Sequence, residues 1–147
     1  MICIGNFEDE IDLLKNIYEH GNYVYINPAE NFTACTRSHF NRVVRKDKHG
    51  VYIVRARDSH EVLYIGKSGT LDDYGRFRKQ DIPGRLTNIR GTENPNDQFR
   101  NLLQEKGPLI IEYIFLLVSK SPSFVEKALL QAYLNEFNRL PYKNKEL

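Results

Sequence analysis

Apolar residues recur with two different periods along this chain, and the changes of period mark its elements. Behind Asn6, a residue type that caps helices, Ile11, Leu14, Ile17 and Tyr18 recur at helical spacing until Gly21, which predicts an amphipathic helix. Tyr23 to Ile26 reads as a short strand and Ser38 to Arg45 as a second helix. Val51 to Ala56 and Val62 to Ile65 are rich in Val, Ile and Tyr, and Arg57-Asp58-Ser59-His60 between them is turn-like, so a hairpin is predicted. A long polar stretch, Lys67 to Gln80, follows. Asp81 and Pro83 then begin a short helix, Gly91 to Asn96 is a loop, and Asp97 caps a helix that ends at Gly107. Leu109 to Val118, nearly unbroken in Leu, Ile, Phe and Val, is predicted as a buried central strand, and Ser123 opens a last helix that ends before Pro141. This order predicts an α+β fold: a small three-stranded antiparallel sheet flanked by helices, with an N-terminal helical extension.

The hairpin carries the candidate chemistry. Strand side chains alternate between faces, so the turn length decides whether Tyr52 and Tyr64 share one face. With Ala56 opposite His60, Tyr52 lies directly across from Tyr64, and two phenols address one reacting group. On packing grounds alone, both are ordinary strand residues that bury a ring and wet a hydroxyl.

Gly50-Val51-Tyr52 and Tyr64-Ile65-Gly66 in this setting resemble the name motif of the GIY-YIG nuclease superfamily, which includes homing endonucleases, a repair incision subunit and some restriction enzymes. The family places an arginine on the helix after the hairpin, a glutamate on a later helix and an asparagine near the end; Arg85, Glu126 and Asn144 fill those places in order. The resemblance spans about residues 48–147, which makes 48–147 the nuclease-like domain and 1–47 an extension packed on it. It implies a metal-dependent DNA endonuclease. Glu126 holds one Mg²⁺ or Mn²⁺, Arg85 and Tyr64 bind phosphoryl oxygens, Tyr52 is the general base with Lys67 as helper, and Asn144 supports the site.

The residues themselves allow other roles. Ser123 followed by Glu126 is a capping box, which assigns the glutamate to backbone donors; yet Glu126 also falls within the arc of Leu129, Leu130, Tyr133 and Phe137, where a carboxylate needs a partner. Arg76 rivals Arg85 because it stands closer to Gly66, although Tyr74-Gly75-Arg76-Phe77 reads as loop. Many family members have a histidine shortly after the arginine, but the position one turn beyond Arg85 is Ile89. Gly66-Lys67-Ser68 matches only the tail of a phosphate-binding loop, since Glu61 occupies the position that needs the first glycine.

Composition narrows the choice. At 147 residues and 41% hydrophobic, the chain suits one core. No apolar run approaches the roughly 18 residues that span a bilayer, and no basic-then-apolar leader opens the chain, so it is expected to be soluble and cytoplasmic. Cys3 and Cys35 are expected as free thiols, and the four histidines show no metal-binding spacing. The net charge of +2 hides an asymmetry: residues 37–90 hold thirteen Lys/Arg against six Asp/Glu, whereas residues 1–36 hold Lys15 against six acids. Arg42, Arg45, Lys46, Lys67, Arg76, Arg78, Lys79 and Arg90 are therefore expected to follow the phosphates of DNA. The alternative from another class is a nucleic-acid-binding module of the same fold that does not cut. The acidic N-terminal helix is a candidate contact for a protein partner or a homodimer.

Overall fold

Seven residues of almost uninterrupted Leu, Ile, Tyr and Phe, Leu109–Phe115, form an interior strand with a partner on each side. The computed structural model describes residues 6–117 and 119–147. In chain order the elements are α1 (Phe7–Ile17), β1 (His20–Tyr25), α2 (Phe32–Asn41), β2 (Gly50–Ala56), β3 (Val62–Lys67), β4 (Thr70–Leu71), β5 (Phe77–Arg78), α3 (Ile82–Thr87), α4 (Pro95–Lys106), β6 (Leu109–Phe115) and α5 (Pro122–Phe137). The main sheet runs β1-β6-β2-β3, antiparallel throughout, and β4-β5 is a separate small hairpin. The fold is α+β as expected, but the sheet has four strands and not three. The extra strand, β1, comes from the N-terminal segment and pairs with β6 from His20↔Ile114 to Tyr25↔Leu109.

The sheet divides the core in two. Tyr25, Phe32, Ile82, Leu86 and Leu102 pack with Val54 and Ile111 on one face, beneath α2, α3 and α4. Phe7, Ile11, Val125, Leu129 and Tyr133 pack with Ile53 and Ile65 on the other, beneath α1 and α5. Each fully buried Ile, Leu or Phe contributes roughly 1.5–3 kcal/mol of transfer free energy, so both layers matter to stability. The second face also buries an ion cluster. Arg55 donates to both carboxylate oxygens of Glu8 at 2.6 and 3.0 Å and to Glu112, and Lys15 reaches the other oxygen of Glu112 at 2.6 Å. These contacts fasten α1 to strands β2 and β6.

Several boundaries differ from the sequence pattern, each for a local reason. Helix α2 begins at Phe32 and ends at Asn41, well before Arg45, because Asn31 caps it through Ala34 N–H and Phe32, Thr36 and Phe40 form its buried stripe. Helix α4 starts behind Asn94 with Pro95 in its first turn, leaving Asp97 inside the helix and paired with Arg100. Helix α5 is capped by Ser121, not Ser123. On α1, Ile17 is 60% exposed, since the core takes Phe7 and Ile11 instead. The polar stretch after β3 holds the β4-β5 hairpin. Cys35 is a free, partly buried thiol. Cys3 and Val118 lie outside the described residues. Among the described residues, no helix is long and apolar enough to cross a membrane.

Candidate active site

Strands β2 and β3 pair as Tyr52↔Gly66, Ile53↔Ile65 and Val54↔Tyr64, after which the register slips to Arg55↔Val62. The tyrosines are thus diagonal neighbours, not directly opposed as the turn length had suggested. The reason is a bulge: Leu63 is the extra residue, and Leu63 and Tyr64 both pack on the face beneath α2, α3 and α4. Parity is preserved, so both phenols still share that face, with ring centroids 6.0 Å apart. Gly66 explains how they fit. A Cβ there would stand 2.4 Å from Tyr52 Cζ and 2.7 Å from Tyr64 Cε2, so the Tyr52 ring lies across a residue that must have no side chain. Gly50 answers a different need, because its Cβ would meet the Ile114 carbonyl oxygen at 1.9 Å and force β2 from β6.

Arg85 reaches this face from α3. Asp81 caps that helix through Gly84 N–H at 2.9 Å, and Ile82 N–H donates to Lys48 O at 2.8 Å, tying the helix to the segment before β2. Tyr52, Tyr64 and Arg85 line one cleft of about 600 Å³. The rival Arg76 is exposed on β4-β5's connection, salt-bridged to Asp72 at 3.1 Å, and does not line the cleft.

Glu126 comes from α5, on the opposite side of the edge strand β3. With Ser121 as cap, Glu126 is two residues beyond Phe124, whose N–H the cap accepts, so the expected capping-box role does not apply. Burial raises its carboxyl above the ordinary glutamate range despite the nearby charges of Lys67, Arg85 and Lys127. Burial likewise drives the Tyr52 hydroxyl, on a residue 4% exposed, far above the usual tyrosine range; Tyr64 and Glu126 add to this and Arg85 opposes it. Tyr64 is raised by burial, with Arg85 opposing and Glu126 reinforcing. Five groups, Tyr52, Tyr64, Lys67, Arg85 and Glu126, therefore form one electrostatic set, although they come from four elements.

Asn144 has a defined place. Its Oδ1 accepts from Ile65 N–H and its Nδ2 donates to Ile65 O, both at 2.9 Å, while Lys143 N–H donates to Leu63 O at 2.8 Å. The tail thereby covers the free edge of β3, which would otherwise expose unpaired backbone groups. Lys143, in the turn that Asn144 N–H closes on Pro141 O at 2.9 Å, and Lys145 flank the docked Asn144, and both line the cleft. Sequence reading missed these lysines; their spacing about Asn144 was the available signal.

The expected basic stripe is largely dispersed. Arg90 lines the cleft, and Lys67 lies beside Glu126. Arg45 pairs with Glu19 and sits over the Phe115 ring, Arg78 joins Arg76 on Asp72, and Arg42 donates to Ser38 O. Lys46 and Lys79 are exposed and do not line the cleft.

Among the described residues, no group of three or more His, Cys, Asp or Glu could cage a metal ion. Glu126 supplies a single carboxylate. That donor set suits a hard ion such as Mg²⁺, which keeps most of its waters and binds through one or two carboxylates completed by substrate phosphate oxygens. No protein-family model, curated protein or solved structure matches this chain, and the chemistry of the site is carried by its own residues.

Proposed function

We propose that this chain is a metal-dependent endonuclease of the GIY-YIG kind that hydrolyses phosphodiester bonds in DNA. The observation that supports it is the sharing of one cleft by Tyr52, Tyr64 and Arg85, under the field of a Glu126 carboxylate that burial leaves short of positive charge. A carboxyl raised by burial next to cations it does not pair with is the arrangement that a cation and a phosphate would complete.

In this reading water attacks the scissile phosphorus and the bond to the leaving sugar oxygen breaks. Arg85 offers a permanently charged, forked donor to the non-bridging oxygens, and Tyr64 adds a hydroxyl. Charge on those oxygens grows toward the transition state, so such contacts accelerate the step by about 10²–10³ each. Tyr52 takes the proton of the attacking water, with Lys67 as helper. Burial makes its phenolate costly and Arg85 reduces the cost, so the rate rises with pH. Glu126 would hold Mg²⁺ or Mn²⁺, which would supply positive charge for the leaving oxygen. Asn144 keeps β3, and with it Tyr64 and Gly66, in register.

The same burial of Tyr52 favours a second reading, a nucleic-acid-binding module that does not cut. Plasmid nicking in Mg²⁺, Mn²⁺ and EDTA, with wild type beside Glu126→Ala, separates the two. Metal-dependent nicking lost in the variant is the expected result. Supercoiled plasmid that stays intact under every condition, while DNA is still bound, establishes the second reading.

A further inference from the structure

The cleft is larger and less polar than a phosphate needs. A scissile phosphate on a duplex is convex and exposed, and Arg85 with the Tyr64 hydroxyl suffices to hold it. Beyond them the cleft continues over an apolar floor, where Phe99 and Leu102 of α4 meet Val54. Phe99 is held rigid by stacking on Phe32, with centroids 3.8 Å apart and planes within 2°. Above this floor stand three amide side chains, Asn88 at the end of α3 and Gln98 and Asn101 on α4. Gln98 and Asn101 are three residues apart and so share one helix face.

Other amides close by are engaged in holding backbone. Asn31 and Asn94 cap helices, Asn96 accepts from Thr33 N–H, and Asn144 binds Ile65. Among the described residues, Asn88, Gln98 and Asn101 are solvent-exposed and have no such hydrogen bond, and they line the same cleft as the apolar floor and Arg85. A side-chain amide pairs a donor with an acceptor, which matches the adjacent donor and acceptor on a nucleobase edge. An apolar or aromatic floor takes the face of the same ring.

We infer that the cleft holds one nucleobase that has left the helical stack, adjacent to the scissile phosphate, with Gln98 and Asn101 reading its edge. The substrate class is then DNA with an unpaired or extruded nucleotide at the cut, since a base already out of the stack escapes the cost of unpairing. The polymer's identity rests on the endonuclease reading; the pocket for a base rests on the amides and their floor.

The test is binding in EDTA, where no cutting occurs, to three DNAs: a fully paired duplex, the same duplex with a one-nucleotide bulge, and that bulge made abasic. Expected is binding to the base-bearing bulge at least about tenfold tighter than to either of the others. The double variant Gln98→Ala/Asn101→Ala, checked for an unchanged melting curve, brings the bulge to the abasic level. Gln98→Glu, which replaces the amide donor with an acceptor, changes which base is preferred in the bulge. Equal binding to paired and bulged DNA overturns the inference, as does an abasic bulge bound as tightly as the base-bearing one. A preference that survives the double variant also overturns it. Plasmid nicking with no bulge preference defeats this inference alone, and a bulge preference without nicking defeats only the endonuclease reading.

Discussion

Glu112 is buried and Glu126 half-buried, both have cationic neighbours, and yet their carboxyls are displaced in opposite directions. At Glu112, 8% exposed, burial pushes the carboxyl up but hydrogen bonds and charge from Lys15 and Arg55 outweigh it, and the result is a depressed value. At Glu126, burial wins over Lys67, Arg85 and Lys127. Glu112 belongs to a closed cluster, in which Arg55 is itself matched by Glu8. Glu126 belongs to an open one: Arg85 lines the cleft, and among the described residues neither it nor Lys67 nor Lys127 forms an ion pair with Glu126. Buried charge that is fully matched holds elements together; buried charge left in deficit marks where a ligand completes the balance.

Removing a member of each cluster should therefore damage different properties. Tyr52→Phe keeps the ring over Gly66 and the fold, but should slow cutting by roughly 10²–10⁴ when chemistry is rate-limiting, measured in single turnover. Wild-type turnover in that variant would move the base to Lys67. Arg85→Ala should lose about 10²–10³ that added Mg²⁺ does not restore, while the loss in Glu126→Gln should be relieved in part by more metal. Arg55→Ala should instead lower stability, by less than the about 3–5 kcal/mol of a buried charge left wholly unpaired because Lys15 still meets Glu112 and Glu8 is more than half exposed, with cutting per folded molecule unchanged. Denaturant melts beside nicking rates check both halves.

The pH dependence sharpens the contrast. Glu112 is depressed, so its stabilisation is present above the unfolded carboxyl value and is lost as pH falls through the folded one. Glu112→Gln should thus be most destabilised near neutral pH, with the gap closing on acidification. Glu126 is raised, so its contribution is full below the unfolded value of about 4.5 and fades as pH rises through the folded one. In EDTA, Glu126→Gln should match wild type in acid and melt higher than wild type near neutrality. Mg²⁺ should raise the melting temperature of wild type more than that of the variant. Identical pH profiles for the two glutamines would erase the distinction between the clusters.

Much of this arrangement could be read from residues before any coordinates. Val51–Ala56, Val62–Ile65 and the apolar run Leu109–Val118 predict β2, β3 and β6, the last ending at Phe115, and Asp81 with Pro83 predicts the short helix that carries Arg85, because local chemistry decides those elements. The bulge at Leu63 was not legible: a one-residue slip depends on what packs above the strand. Nor was β1's place in the sheet, since six residues with the pattern of His20–Tyr25 become a strand only beside β6. The cap of α5 was misread because Ser121 and Ser123 both offer a hydroxyl, and Pro122 favours the first by suiting the opening turn. Charge counting was the least informative reading, because a tally along the chain cannot see that Asp72 pairs with Arg76 and Arg78 or that Glu19 pairs with Arg45.

The smallest expected effect concerns Asn144, which belongs to neither cluster but borders the open one. Asn144→Ala removes two hydrogen bonds to the edge of β3 and should cost about 1 kcal/mol, at the level of a typical intramolecular bond. If Asn144 also orients its neighbours, Lys143 and Lys145 lose their places in the cleft when the tail lifts. The slope of log K against log salt for duplex DNA should then fall by roughly 0.9 for each lysine that leaves a phosphate. Lys143→Ala/Lys145→Ala should reproduce the change in slope without the loss of stability. A lowered melting temperature with an unchanged slope in Asn144→Ala would confine this residue to covering a strand edge, and would leave Arg85 and Arg90 as the cations that meet DNA in the cleft.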